Sequence, residues 1–280
     1  MPVPSIAGLV IAWSGEGWCF LIDGFSYFAV IVALLMMRGV RKTDRRPHGA
    51  TVLSQFKEGL SYVFGFRPIR SLMTLLALVS LLGMPFAVLM PVFANDVLHG
   101  GPHTLGFLMT ASGCGALAGA LWLAGRKSVV GLGRVILMAT TTFSLALIAF
   151  SFSRLLWLSL IFMTFVGFGM MVQMASSNTV IQTIVDDEKR GRVMSFYTMC
   201  FLGTAPFGSL LAGALSARIG APHTVLMSGI LCLAAALWFR QELPEIRSVV
   251  RPIYVRMGIL PEMATGLQSA AQLMTPPEQE

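Results

Sequence analysis

Within the long uncharged runs of this sequence there is one carboxylate, Asp23. Ionising an acid inside an apolar helix is costly, and such a group is suited to taking up a proton and giving it back. Asp23 stands near the end of its run that we read as external, within reach of water. It is the candidate proton-coupling group; the structural alternative is a bond to a neighbouring helix or a place in an outer vestibule. Gln173 with Ser176, Ser177 and Asn178 forms a polar cluster near the cytoplasmic end of another run. Amides and hydroxyls there hydrogen-bond across helices or line a cavity. Gln173, Ser177 and Asn178 form the candidate substrate pathway together with Met84 and Phe86, since Met and Phe suit an adaptable apolar wall. Catalytic chemistry is not indicated. His48, His99, His103 and His223 lie in loops or at run edges, and no HExxH, GxSxG or paired intramembrane acids occur. The cysteines, Cys19, Cys114, Cys200 and Cys232, fall in apolar runs without CxxC spacing, so neither a disulfide framework nor a thiolate metal site is expected. No cofactor or metal is expected.

The elements that must carry these residues are transmembrane helices. Of the 280 residues 55% are hydrophobic and 12% charged, about half the charge of a soluble protein. A soluble domain lacks the interior to hide so much apolar surface, whereas lipid accepts it. Full spans of roughly 20 residues read as 17–37, 71–95, 104–124, 135–153, 155–178, 193–215 and 224–239. Val3 to Trp13 makes about half a span. With the segment after Met37 cytoplasmic and the sides alternating, eighteen of the twenty Lys and Arg lie inside, leaving Arg154 and Arg218 outside. The net charge of +7 therefore reads as cytoplasmic loops and not as a nucleic-acid stripe. The partners expected are the bilayer and a small-molecule substrate, with no nucleic acid and no obligate protein partner.

Leu53, Phe56, Leu60, Val63 and Phe64 recur at helical spacing opposite polar residues, which predicts an amphipathic helix on the cytoplasmic interface. Pro85, Pro91 and Pro206 each remove a donor and can kink their helix. Gly115 and Gly119 form a small-xxx-small pair for close helix packing. The proline-rich last 40 residues read as a poorly ordered tail.

A repeat organises these spans. At a constant offset of 205 residues, Ala7-Gly8 aligns with Ala212-Gly213, Gly15 with Gly220, Leu21 with Leu226, and Gly24 with Gly229. Two helix pairs in the same orientation are expected where two six-helix halves are related by an axis along the membrane normal, as in the major facilitator fold. The fold class is thus all-α integral membrane, a major facilitator fragment of about eight helices: the second half of helix 5, helix 6 and helices 7–12. Residues 1–38 would end the first half, with helix 5 incomplete, and 39–70 the inter-half linker; 71–240 would be the second half and 241–280 the tail. The offset places the start of a first half about 135 residues upstream, so the expectation is a fragment or a late start.

Six further motifs stand along the chain: Gly15-Glu-Gly-Trp-Cys-Phe-Leu-Ile-Asp23, Phe56-Lys-Glu-Gly-Leu-Ser-Tyr62, Gly83-Met-Pro-Phe-Ala87, Met90-Pro-Val-Phe93, Asp187-Glu-Lys-Arg-Gly-Arg-Val-Met-Ser195 and Ala205-Pro-Phe-Gly-Ser-Leu-Leu-Ala-Gly213. In these the sequence resembles bacterial major facilitator permeases for secretion and siderophore export. The resemblance implies proton-driven export of small amphipathic molecules across a bacterial inner membrane, and the basic residues after the last span, Arg240, Arg247, Arg251 and Arg256, place the C-terminus on the cytoplasmic side. The resemblance also implies that Asp187, Arg190 and Arg192 belong to a charged loop that latches the two halves. The alternative is a transport-inactive remnant of such a permease.

Overall fold

The computed structural model describes residues 16–36, 52–126 and 128–258, and the backbone alone at 16–20, 22–23, 52–58 and 187. The half-span 3–13, residues 39–51, Lys127 and the last residues of the tail lie outside this set. The chain divides into a unit ending at Thr51 and a unit from Val52 onward. In the first, α1 is a single helix, Glu16–Met36, of 21 residues, long enough to cross the hydrocarbon core.

The second unit is a helical bundle. A short helix α2 (Val52–Gly65) precedes α3 (Arg67–Leu78) and α4 (Phe86–Val92). Then follow α5 (Pro102–Ala124), α6 (Leu132–Phe152), α7 (Leu156–Ile184), α8 (Asp187–Leu202), α9 (Ala205–Ile219) and α10 (Ala221–Arg256). Taking α3 with α4, and α8 with α9, six helices among the described residues are long and apolar enough to span a membrane. They coincide with the last six spans read from the sequence.

At the middle of the bundle α6 packs between α7 and α10. Its Ile136, Phe143, Leu147 and Phe150 are buried, and Phe150 stacks on Phe93 with ring centres 4.6 Å apart. Thr140 and Ser144 bury their hydroxyls by donating to the carbonyls of Ile136 and Thr140, at 2.8 and 2.7 Å. Against α7 lies α5 at backbone distance. A Cβ added to Gly115 would fall 1.9 Å from the Thr164 carbonyl oxygen, and one added to Gly167 would fall 1.9 Å from that of Ser112. The expected small-residue seam is present, with Gly167 and Ser112 as the partners that the sequence pattern did not single out.

The expectation for the tail is overturned over its first part. Beyond the last apolar run α10 continues without interruption to Arg256. Leu243, Ile246, Val250 and Tyr254 recur at three- and four-residue steps and are buried, while Pro244 and Pro252 lie on the exposed side. Burial of that stripe outweighs the two lost donors.

Helix α2 packs on α3 and α8. Gly59 abuts Phe196 and Arg192, and Val63 is buried, whereas Leu60 and Phe64 stay exposed. The apolar face expected to rest on the membrane surface is thus divided, part meeting the bundle and part left outward.

Candidate functional site

Two spans are broken in mid-course, and the breaks face each other. Before Pro85 the chain widens into a π turn, Val79–Gly83, where Met84 N–H donates to the Val79 carbonyl at 3.1 Å. Pro85 has no N–H to offer Leu81, four residues back, so that carbonyl loses its helical donor. A second π turn, Phe93–Val97, follows Pro91. The other span breaks at Gly203-Thr204, between α8 and α9, with Pro206 in the first turn of α9.

Each break meets the other. The Ser80 hydroxyl donates to the Phe201 carbonyl at the end of α8. Gly208 of α9 comes so near that an added Cβ would stand 2.2 Å from the Leu81 oxygen and 2.9 Å from the Pro85 ring. Leu81, Pro85, Gly208, Leu215, Met227 and Ser228 border a small cavity of about 90 Å³ beside the contact. Broken backbone that is met by a neighbour can shift without leaving orphaned groups in lipid. Of these residues the sequence reading singled out only the prolines. Ser80, buried in an apolar run, was the available signal for a hydroxyl with a backbone partner.

The polar residues of α7 lie deeper than the sequence reading placed them. Gln173 is roughly three turns before the end of the helix and, like Ser176 and Ser177, is buried. Its Nε2 lies 3.5 Å from Ser177 Oγ, at the limit of a hydrogen bond. Ser176 Oγ is buried without a hydrogen-bond partner among the described residues. Asn178 is only half-buried and accepts from Gln182 at 2.8 Å, on a different sector of the helix. Phe86 is buried edge-to-face on Phe143, ring centres 6.3 Å apart, and Met84 is half-buried. Phe143 also contacts Gly83 and the Gly169 backbone position, one turn from Gln173. The structure thus draws Phe86 toward the Gln173 strip through Phe143, and leaves Asn178 apart. Asp23 lies on α1, and its side chain is outside the described residues.

At the end where α3 and α6 start and α7 and α10 finish, charges join elements. Arg67 donates to Glu242 at 3.2 Å and also pairs with Glu245, while Ser71 donates to Glu242 at 3.0 Å. The Lys189 ammonium stands 4.4 Å from the centre of the Tyr62 ring. Burial, with the Asp186 charge adding, pushes the Tyr62 phenol above its ordinary value. Of the predicted loop residues, Arg190 and Arg192 are half-buried in α8, and Arg192 touches α2; the side chain of Asp187, first residue of α8, lies outside the described set.

Comparison with known proteins gives this bundle its family. The profile of the transmembrane secretion effector family, a major facilitator family, matches residues 2–256. The chain is 29% identical over 255 residues to the multidrug efflux pump Tap of Mycolicibacterium fortuitum, covering 89% of this chain and 62% of that protein. It is 29% identical over 251 residues to Tap of Mycobacterium bovis, covering 88% of this chain and 59% of that one. To an uncharacterised major facilitator transporter of Bacillus subtilis, YfmI, it is 24% identical over 258 residues, covering 89% of this chain and 62% of that protein. The chain thus spans about three fifths of the length of these curated relatives. With an all-helical membrane bundle and a family match over nearly its whole length, this chain belongs to the transmembrane secretion effector family of major facilitator transporters.

Proposed function

We propose that the chain serves export of small amphipathic organic molecules across a bacterial inner membrane by antiport with protons. The observation that carries the reading is the pair of facing helix breaks, at Pro85 and at Gly203-Thr204. Each supplies a backbone joint whose freed groups the other span meets, which suits helices that rock between two states. Family membership and the efflux-pump names of two relatives support the direction of transport. The basic ends of the spans support a cytoplasmic C-terminus. In this reading Asp23 carries the proton, and Gln173, Ser177, Asn178, Met84 and Phe86 contact the path of the substrate. Asp187, Arg190 and Arg192 act as a conformational loop at the cytoplasmic face.

The test is accumulation of ethidium, a lipophilic cation, in bacteria that lack their major pumps and express the 280-residue chain. Ethidium should fall below the empty-vector level, and a protonophore should abolish the difference. Asp23→Asn should export without responding to an imposed pH gradient, or not at all. Gln173→Ala should cost at most about tenfold in apparent affinity, the worth of one hydrogen bond. Accumulation equal to the vector at confirmed membrane expression would favour a transport-inactive chain.

A further inference from the structure

The extension of α10 past the apolar run encloses a cavity of about 590 Å³ against the start of α6, the end of α7 and the start of α3. Three arginines line it, Arg134 on α6 with Arg247 and Arg251 on α10. Residues 247 and 251 are one turn apart on the same face. All three are exposed, and no ion pair among the described residues engages them. The carboxylates of Glu242 and Glu245 on the same helix are held by Arg67. The rest of the lining is mostly apolar, with Leu132, Leu243 and Val250 among it.

The level in the membrane follows from length. The 36 residues of α10 extend about 54 Å, and about 20 of them cross the hydrocarbon, so the stretch from Gln241 onward stands at headgroup depth or beyond. The first turn of α6, which also borders the cavity, lacks a side-chain cap and adds its positive helix end. Guanidinium groups with no ion-pair partner among the described residues, beside an apolar wall at this depth, match a molecule with an anionic head and hydrocarbon chains. A soluble anion has no use for the wall, and an apolar protein segment has no use for the arginines.

We propose that this cavity is a binding site for an anionic phospholipid of the adjoining leaflet, its phosphate held by Arg134, Arg247 and Arg251. The site ties the α10 extension to α6 and so couples lipid composition to the stability of the bundle. Through the orientation proposed above the leaflet is the cytoplasmic one. The binding itself does not depend on that, and a measurement in detergent separates the two.

The experiment reads unfolding temperature of the purified full chain in detergent during titration with dioleoylphosphatidylglycerol, dioleoylphosphatidylcholine or sodium phosphate. Phosphatidylglycerol should stabilise at concentrations where the other two do not. The R134Q/R247Q/R251Q variant should need on the order of a hundredfold more phosphatidylglycerol, since each basic residue beside an anionic lipid contributes roughly fivefold. Arg218→Gln, at the opposite end of the bundle, should respond as the unmodified chain. Ser248→Trp, which fills the cavity from an exposed position and leaves the charges in place, should also lose the response and covers the case in which the triple variant fails to fold. An equal shift with phosphatidylcholine, the same shift with phosphate alone, or an undiminished phosphatidylglycerol response in Ser248→Trp would each overturn the proposal.

Discussion

Gly115 and Gly113 are two residues apart on α5, yet a methyl group means opposite things at the two positions. At Gly115 the new carbon would meet the Thr164 carbonyl at 1.9 Å, whereas at Gly113 nothing lies within 4 Å. Alanine at 115, or at 167 across the seam, must push α5 from α7 along the contact, an overpacking cost of about 1–3 kcal/mol. Alanine at 113 gains helix propensity, worth about 0.5–1 kcal/mol. Unfolding titrations in mixed detergent micelles should therefore give opposite signs for Gly115→Ala and Gly113→Ala, and a shared sign would refute the seam. Ser176 yields a second prediction of this kind. Its buried hydroxyl has no partner among the described residues, so Ser176→Ala should leave thermal stability unchanged or raise it, while a marked loss would show that the hydroxyl is satisfied in the working protein.

Between single residues and the bundle lie the helix interruptions and the α10 extension, and here the sequence was legible unevenly. Span positions follow from hydropathy alone, because lipid imposes one length on every crossing segment. Pro85 and Pro206 marked where two spans could break. That the breaks meet is a tertiary fact, carried by Ser80, Phe201 and Gly208, and no local pattern encodes it. Gln173 and Phe86 were visible as types, but their approach through Phe143 on α6 was not. The extension was misread because Pro244 and Pro252 look like stops. Both occupy the exposed side, and the apolar residues between them still recur at helical spacing. This makes hydrogen exchange a direct check. Amides across Leu243–Tyr254 should exchange far more slowly than those of Met257 and Gly258, and exchange of 243–254 within seconds would show that the extension is not a stable helix. The joint itself is checked by Ser80→Ala, which leaves the Phe201 carbonyl without its hydroxyl donor. The expected loss is about 1–3 kcal/mol of stability together with slower export, and an unchanged export rate would separate the contact from the motion.

At the scale of the whole molecule the charge distribution makes one strong statement. Arg67, Arg70, Arg126, Arg134, Lys189, Arg190, Arg192, Arg240, Arg247, Arg251 and Arg256 gather at one end of the second unit, and Arg154 and Arg218 stand at the other. Membrane insertion retains Lys and Arg of short loops on the cytoplasmic side, so the crowded end should face the cytoplasm. Asp96 and Lys189 sample the two ends: Asp96 is exposed just before the turn into α5, and Lys189 lies in the first turn of α8. In a chain whose four native cysteines are replaced, single cysteines at these positions can be probed in intact cells with a membrane-impermeant maleimide. The position-96 cysteine should label at once, and the position-189 cysteine only after the membrane is opened. Labelling at 189 in intact cells, with 96 protected, would invert the bundle. The three arginines around the α10 cavity would then face the outer leaflet, and the direction proposed for transport would have to be argued again from the fold.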